Sequence, residues 1–172
     1  MLAYLFVVVS VGLRLLPHPF SFTPVAASLL FFGANAPAKR AWIPLALLAG
    51  SDVYLTVFHY QYPFKWDNFV TWAWYAGMLL LGRKLRNHAR PLPIVGASVA
   101  AAVSFFLVSN FATWAAMDMY PKTFAGLMTS YLNGIPFFRT ELVANVLFLA
   151  VMFAIPAIVQ SLSEVESARN AV

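Results

Sequence analysis

Ile94-Val-Gly-Ala-Ser-Val-Ala-Ala-Ala-Val-Ser-Phe-Phe-Leu-Val-Ser-Asn-Phe-Ala-Thr-Trp-Ala-Ala116 is a run of 23 residues without one charged side chain. A helix rises 1.5 Å per residue and a bilayer core is about 30 Å thick, so about 20 such residues cross it. The run therefore reads as a transmembrane helix. Five further apolar runs lie around it, at 2–16, 24–36, 42–58, 69–81 and 142–162. The whole chain agrees: its 172 residues are 62% hydrophobic and 10% charged, with a mean hydropathy of +0.76. Soluble domains carry roughly 25% charged residues. The expected fold is an all-α integral membrane protein, a six-helix transmembrane bundle filling 1–172 as one domain.

Local signals set the ends of these runs. Thr23 is placed to cap the second helix and Pro24 suits its first position, while Pro156 predicts a kink in the last. The first run starts without a charged leader and no small-residue cleavage site follows it, so it is expected to be retained and not cleaved as a signal peptide. Lys39, Arg40, Arg83, Lys84, Arg86 and Arg90 fall in loops on one side, against Lys65, Lys122 and Arg139 on the other. The richer side should be cytoplasmic, which puts both termini inside. Three segments then face outward, 17–23, 59–68 and a long one at 117–140. The last is too apolar for a disordered linker and is expected to be structured. In it Thr123 can cap a short helix whose Phe124, Leu127, Met128 and Tyr131 form one stripe. That stripe either docks on the bundle, lies in the membrane interface or covers a site.

Function classes narrow by what is missing. Cysteine is absent and the only histidines are His18, His59 and His88, so disulfides and a His/Cys metal site are not expected. The net charge of +5 resides in loops, where topology accounts for it without nucleic acid. No carboxylate pair or nucleophile with a base stands at usable spacing, so an enzyme is not expected.

Polar groups inside spans are expensive, and their depth is informative. Asp52, Thr56 and His59 share one helical face at i, i+4 and i+7, and Asn68, Trp72 and Tyr75 repeat that spacing on the next helix. Ser109, Asn110 and Thr113 lie in the outer part of the fifth run, Glu141 and Asn145 at the start of the sixth, and Arg14 near the outer end of the first. The inner halves are almost wholly apolar. A channel needs polar groups along its whole path, so this one-sidedness predicts a vestibule closed from within. The candidate ligand residues are Arg14, Asp52, Thr56, His59, Tyr62, Trp66, Asn68, Trp72, Tyr75, Asn110, Tyr131, Arg139 and Asn145. Bland alternatives stand beside them: Arg14 and Asp52 as a structural ion pair, the asparagines as interhelical glue, the tryptophans as an interfacial belt. The small residues Gly96, Ala97, Ala100 and Ala101 permit close helix approach, to neighbours in the chain or to a partner.

Several stretches carry a resemblance: Arg14-Leu-Leu-Pro-His-Pro-Phe-Ser-Phe-Thr-Pro-Val-Ala-Ala27, Ser51-Asp52, Ser109-Asn110-Phe111, Tyr120-Pro-Lys-Thr-Phe-Ala-Gly-Leu127 and Ile135-Pro-Phe-Phe-Arg139. The chain resembles an uncharacterised family of bacterial transport proteins. That family is similar in layout to the substrate-binding S components of energy-coupling factor (ECF) vitamin transporters, the solitary cobalamin-uptake type among them. The resemblance implies a multi-pass protein of the bacterial cytoplasmic (inner) membrane that binds a micronutrient with its first, third and fifth loops. It implies as partner an ECF energising module, or none in the solitary case, and cobalamin as one conceivable cargo. The Ala-xxx-Ala docking element of S components is absent, since Ala3 is followed four residues later by Val7. The cobalt-holding cysteine of the cobalamin type is absent too; no metal site is expected, and His59, otherwise an interfacial histidine, is the single candidate to substitute for it. The expected function is a membrane-embedded substrate-binding and translocation subunit for a small vitamin-like micronutrient. The alternative is a structural or assembly protein holding a partner through small-residue helix faces.

Overall fold

The computed structural model describes residues 1–16, 22–86 and 90–170. The segment 17–21 with His18, the segment 87–89 with His88, and 171–172 lie outside the described residues. Over the rest the chain is helical, with α1 (Leu2–Leu15), α2 (Val25–Asn35), α3 (Trp42–Tyr54), α4 (Asp67–Leu85), α5 (Pro91–Ala116) and α6 (Phe124–Asn170). A 3₁₀ turn, Ala38–Arg40, leads into α3, and a π-helical turn, Leu55–His59, prolongs it. Three stretches are long and apolar enough to cross a membrane: Ala38–His59, Pro91–Ala116 and Phe124–Glu164. They mark the chain as a membrane protein. The helices α1 and α2 are shorter.

The shortest helix is the central one. Every residue of α2 from Val25 to Ala34 is buried, and α1, α4, α5 and α6 all pack on it. Its sequence is apolar on all sides, as a helix without a solvent or loop-facing stripe must be. Eleven residues span only about 16 Å, and the free backbone groups at the ends of so largely buried a helix need partners. At the C-terminus Arg86 supplies them: its Nε donates to the Ala34 carbonyl at 3.0 Å and its Nη2 to the Ala36 carbonyl at 2.6 Å. A cation there also complements the helix dipole. Close approach to α4 is made possible by two glycines. A Cβ on Gly33 would strike the Leu79 carbonyl oxygen, and one on Gly82 the Leu30 carbonyl oxygen.

Hydrogen bonds distinguish the two ends of the molecule. Arg40 Nη1 donates to the Tyr4 hydroxyl at 3.1 Å, which with the Arg86 contacts gathers the basic loops near the start of α1. At the other end Lys65 Nζ donates to the Ala116 carbonyl at 2.9 Å and faces Asp118 at 3.6 Å.

The sequence reading of 117–140 as an outer loop before a helix at 142 does not match α6. Thr123 does cap the helix, its Oγ1 accepting from the Gly126 N–H at 3.2 Å. The helix then continues without a break past Pro136 to Asn170. Proline removes one backbone donor and crowds the preceding turn, but α5 holds the stretch in place. Ser130 Oγ donates to the Asn110 carbonyl at 3.0 Å, Tyr131 OH to the Leu107 carbonyl at 3.0 Å, and Phe106 packs on Phe138 with ring centroids 5.1 Å apart. Residues 124–141 thus form a helical hairpin with the second half of α5.

The end of the π turn carries the one positive φ among the described non-glycine residues, 56° at Gln61. The Tyr60 and Tyr62 N–H groups close the turn on the Leu55 and Thr56 carbonyls, both at 2.8 Å. Left-handed backbone costs an ordinary L-residue roughly 1–2 kcal/mol, partly offset for glycine by its freer unfolded state. Gln61→Gly is therefore expected to raise stability by about 0.5–1 kcal/mol in a denaturant titration.

Candidate ligand site

Side chains from all six helices meet at one cavity of about 240 Å³. The contributors are Arg14 of α1, Val25 and Ala26 at the start of α2, Asp52 of α3 with Leu55 and Thr56 of the π turn, Trp74 and Tyr75 of α4, Phe105 of α5, and Glu141 and Asn145 of α6. Thr23 and Tyr60 complete the lining. Among the described residues no group of three or more His, Asp or Glu side chains is arranged to hold a metal. What the cavity offers is charge, hydrogen bonds and aromatic surface.

One wall is fully bonded. The Asp52 carboxylate is 7% exposed and pairs with Arg14 through Oδ1. The same oxygen accepts from the Tyr75 hydroxyl at 3.2 Å, and Oδ2 accepts from Trp72 Nε1 at 2.9 Å. Arg14 Nη1 in turn donates to Ser51 Oγ at 2.9 Å, and that hydroxyl donates to the Leu48 carbonyl at 2.8 Å. A buried charge pair is tolerable only when its remaining donors and acceptors are met in this way. Trp74 stiffens the adjoining wall, its Nε1 donating to Ser104 Oγ at 3.0 Å and its ring packing on Phe105 with centroids 4.8 Å apart.

The part of the lining from α6 is not. Asn145 is 1% exposed, yet neither its Oδ1 nor its Nδ2 makes a hydrogen bond of proper geometry. Its polar neighbour is Glu141, one helical turn earlier. The ion pairs among the described residues are Arg14–Asp52 and Lys65–Asp118, and neither involves Glu141. A buried amide without partners costs about 1–3 kcal/mol, which in native structures calls for an explanation. Glu141 also borders a second chamber of about 170 Å³, lined with Phe105, Phe106, Ser109, Asn110, Gly134, Phe137 and Phe138. This chamber sits where Pro136 interrupts the backbone ladder of α6.

Of the candidates named from the sequence, Arg14, Asp52, Thr56, Tyr75 and Asn145 line the cavity, and Trp72 supports it through Asp52. The others stand apart. His59, Tyr62 and Trp66 are exposed, in an aromatic surface where Tyr60 and Tyr62 stack with centroids 6.1 Å apart. Asn68 donates to the Lys65 carbonyl at 3.1 Å and so closes the start of α4. Asn110 borders the second chamber, its Nδ2 donating to the Phe106 carbonyl at 2.8 Å. Tyr131 is spent on α5, and Arg139 is exposed on another face. Sequence reasoning left out Glu141, Ser51, Tyr60, Trp74 and Phe105. Only Glu141 carried a usable signal, one turn from Asn145 in an apolar helix. The small-residue stripe divides: Ala97, Ser98, Ala101 and Ala102 are buried inside the chain, whereas Gly96 and Ala100 are exposed.

The chain belongs to the family of unknown function DUF6580, whose model matches residues 1–167. No curated protein and no solved structure matches it.

Proposed function

We propose that this member of a family of unknown function is a membrane-embedded binding subunit for uptake of a small, vitamin-like solute. Its six helices form the bundle in the bilayer, both termini are cytoplasmic, and the cavity opens outward. The observation that carries this reading is the buried Asn145, whose amide has Glu141 beside it and makes no hydrogen bond of proper geometry, in a cavity to which every helix contributes. In a purely structural bundle such a group is paired or replaced by an apolar one. A few convergent polar groups within apolar walls are what a small-molecule site requires. The orientation rests on the six Lys and Arg residues in the stretch before α3 and from the last turn of α4 to the start of α5, against Lys65, Lys122 and Arg139.

Size favours a compact heterocycle over a corrinoid, because a corrin ring alone outgrows a cavity of about 240 Å³. His59, outside the lining, is poorly placed to hold cobalt there. Ala3 and Val7, at the spacing used for docking an energising module, are buried in the chain, which favours a solitary carrier or a differently docked partner.

Accessibility tests the reading. Cysteines introduced singly at Thr56 and Tyr60 should react in whole cells with a membrane-impermeant maleimide, and a reporter fused after Val172 should read cytoplasmic. A cysteine at Leu149, which is fully buried, should stay silent. Equal labelling at all three positions would indicate a through-going pore, and an external reporter would place the cavity on the cytoplasmic side; either overturns the proposal.

A further inference from the structure

Among the described residues that line the cavity, two carboxyl side chains, Asp52 and Glu141, stand against one cation, Arg14. Arg14 is committed to Asp52, with Ser51 and Tyr75 taking its remaining reach. That leaves Glu141 as a second carboxyl group on the cavity, with no cation at ion-pair distance among the described residues. The start of α2 also faces this space through Val25 and Ala26. A helix N-terminus offers about half a positive charge spread over its first turn, which falls short of a full counter-ion. Beside Glu141 sits Asn145, buried, with Glu141 as its polar neighbour and no other side-chain partner, so one acceptor and one donor group still have capacity to offer. Three rings, Phe105, Trp74 and Tyr75, also line the cavity.

Resting on the reading of the cavity as a solute site, we infer that its ligand is a small organic cation with a planar or aromatic body. Its charged N–H group lies against the Glu141 carboxylate and the Asn145 Oδ1, and its ring lies on the Phe105 and Trp74 side. Each part of this match answers a feature of the lining. A bound cation favours the ionised form of Glu141, which has no described cation at ion-pair distance, and charge-assisted hydrogen bonds are about twice as strong as neutral ones. An N–H donor satisfies the orphaned amide oxygen. Aromatic faces attract cations and stack on planar ligands. An anion would instead meet two carboxyl groups, with Arg14 already taken.

The test uses the full chain in detergent and a matched set of probes differing only in charge: benzamidine as the cation, benzamide as the neutral amide, benzoate as the anion. Benzamidine should raise the melting temperature in a concentration-dependent way, while benzamide and benzoate should have little effect. Glu141→Gln, which keeps the shape and removes the charge, should weaken benzamidine binding roughly 10- to 150-fold. Glu141→Asp, which keeps the charge and withdraws it, should give an intermediate loss and guards against a folding defect in the first variant. Glu164→Gln, on the exposed end of α6, should change nothing. Equal shifts from benzamide and benzamidine, or undiminished benzamidine binding in Glu141→Gln, would overturn the cation assignment. Should benzamide or benzoate bind in a way that Asn145→Ala abolishes, the solute site stands and its charge class falls. If no probe of any charge binds, both fall together.

Discussion

Asp52→Ala is expected to destabilise the protein by about 3–5 kcal/mol, the largest loss from any single polar substitution considered for this chain. The substitution removes one carboxylate but strands three donors: the Arg14 guanidinium, the Tyr75 hydroxyl and the Trp72 indole N–H. Side-chain exposures of 16% for Arg14 and 8% for Asp52 leave little water to take the carboxylate's place. Most of the loss is thus the cost of an uncompensated buried charge and not the worth of the pair. The double variant Asp52→Ala with Arg14→Met should therefore recover a large share of it, because both charges leave together. Tyr75→Phe, which deletes one neutral donor, should cost about 1 kcal/mol. Unfolding of all four proteins in one detergent decides the matter. A loss below about 1 kcal/mol in Asp52→Ala would mean a hydrated, solvent-screened pair.

The contrast with Glu141 follows from the same chemistry. Asp52 has its acceptors filled, so removing it breaks a network. Glu141 and Asn145 have unfilled capacity, so the cost of changing them should appear when ligand is measured and not when folding is. A site of this kind divides into a part that holds the helices and a part that waits for an occupant.

Arg14, Asp52 and Tyr75 were legible in the sequence because ionisable groups on apolar helices have few places to go, and helical spacing puts them on converging faces. His59 was misplaced by the same rule. The face running through Asp52 and Thr56 reaches His59 only if the helix stays α, and the chain instead forms a π turn over Leu55–His59. A wider turn rotates each residue less, so the face passes from His59 to Tyr60, which lines the cavity while His59 does not. No residue pattern in that segment announces the change. Extra turns of this type recur at functional sites, and here it ends beside the cavity.

The limits of α6 were illegible for a different reason. Pro136 and the charged Arg139 and Glu141 read locally as a loop before a helix. Tertiary packing against α5 overrides that local preference, and Gly134 is part of how it does so, since a Cβ there would collide with the Asn110 side chain. The central position of α2 was foreshadowed by its composition: a helix of 11 residues, apolar all round and too short to span, is stable only when covered on every side. Its neighbours could not be read, because an all-apolar helix has no face that singles out a partner.

Gly33→Ala and Gly82→Ala should each destabilise the fold by about 3 kcal/mol, at the upper end of what overpacking usually costs. These two residues form a reciprocal contact. The Cβ added to Gly33 meets the Leu79 backbone on α4, and the one added to Gly82 meets the Leu30 backbone on α2. A clash with a flexible side chain can be relieved by a rotamer change, but a clash with a carbonyl oxygen requires the helix to move. With α1, α5 and α6 also packed on it, α2 cannot withdraw from α4 without disturbing another interface. A single shift would relieve both clashes, so the double variant should cost less than the sum of the singles. Gly77→Ala and Gly96→Ala are the controls, because a Cβ at either position meets nothing within 4 Å. There the better helix propensity of alanine should leave stability unchanged or slightly raised. The displacement should also reach the cavity, since α2 presents Val25 and Ala26 to it. Gly33→Ala protein that still folds at low temperature should therefore bind benzamidine more weakly than the wild type, whereas Gly77→Ala should not. Equal stability in Gly33→Ala and Gly77→Ala would refute the close crossing of α2 and α4 on which the position of the cavity depends.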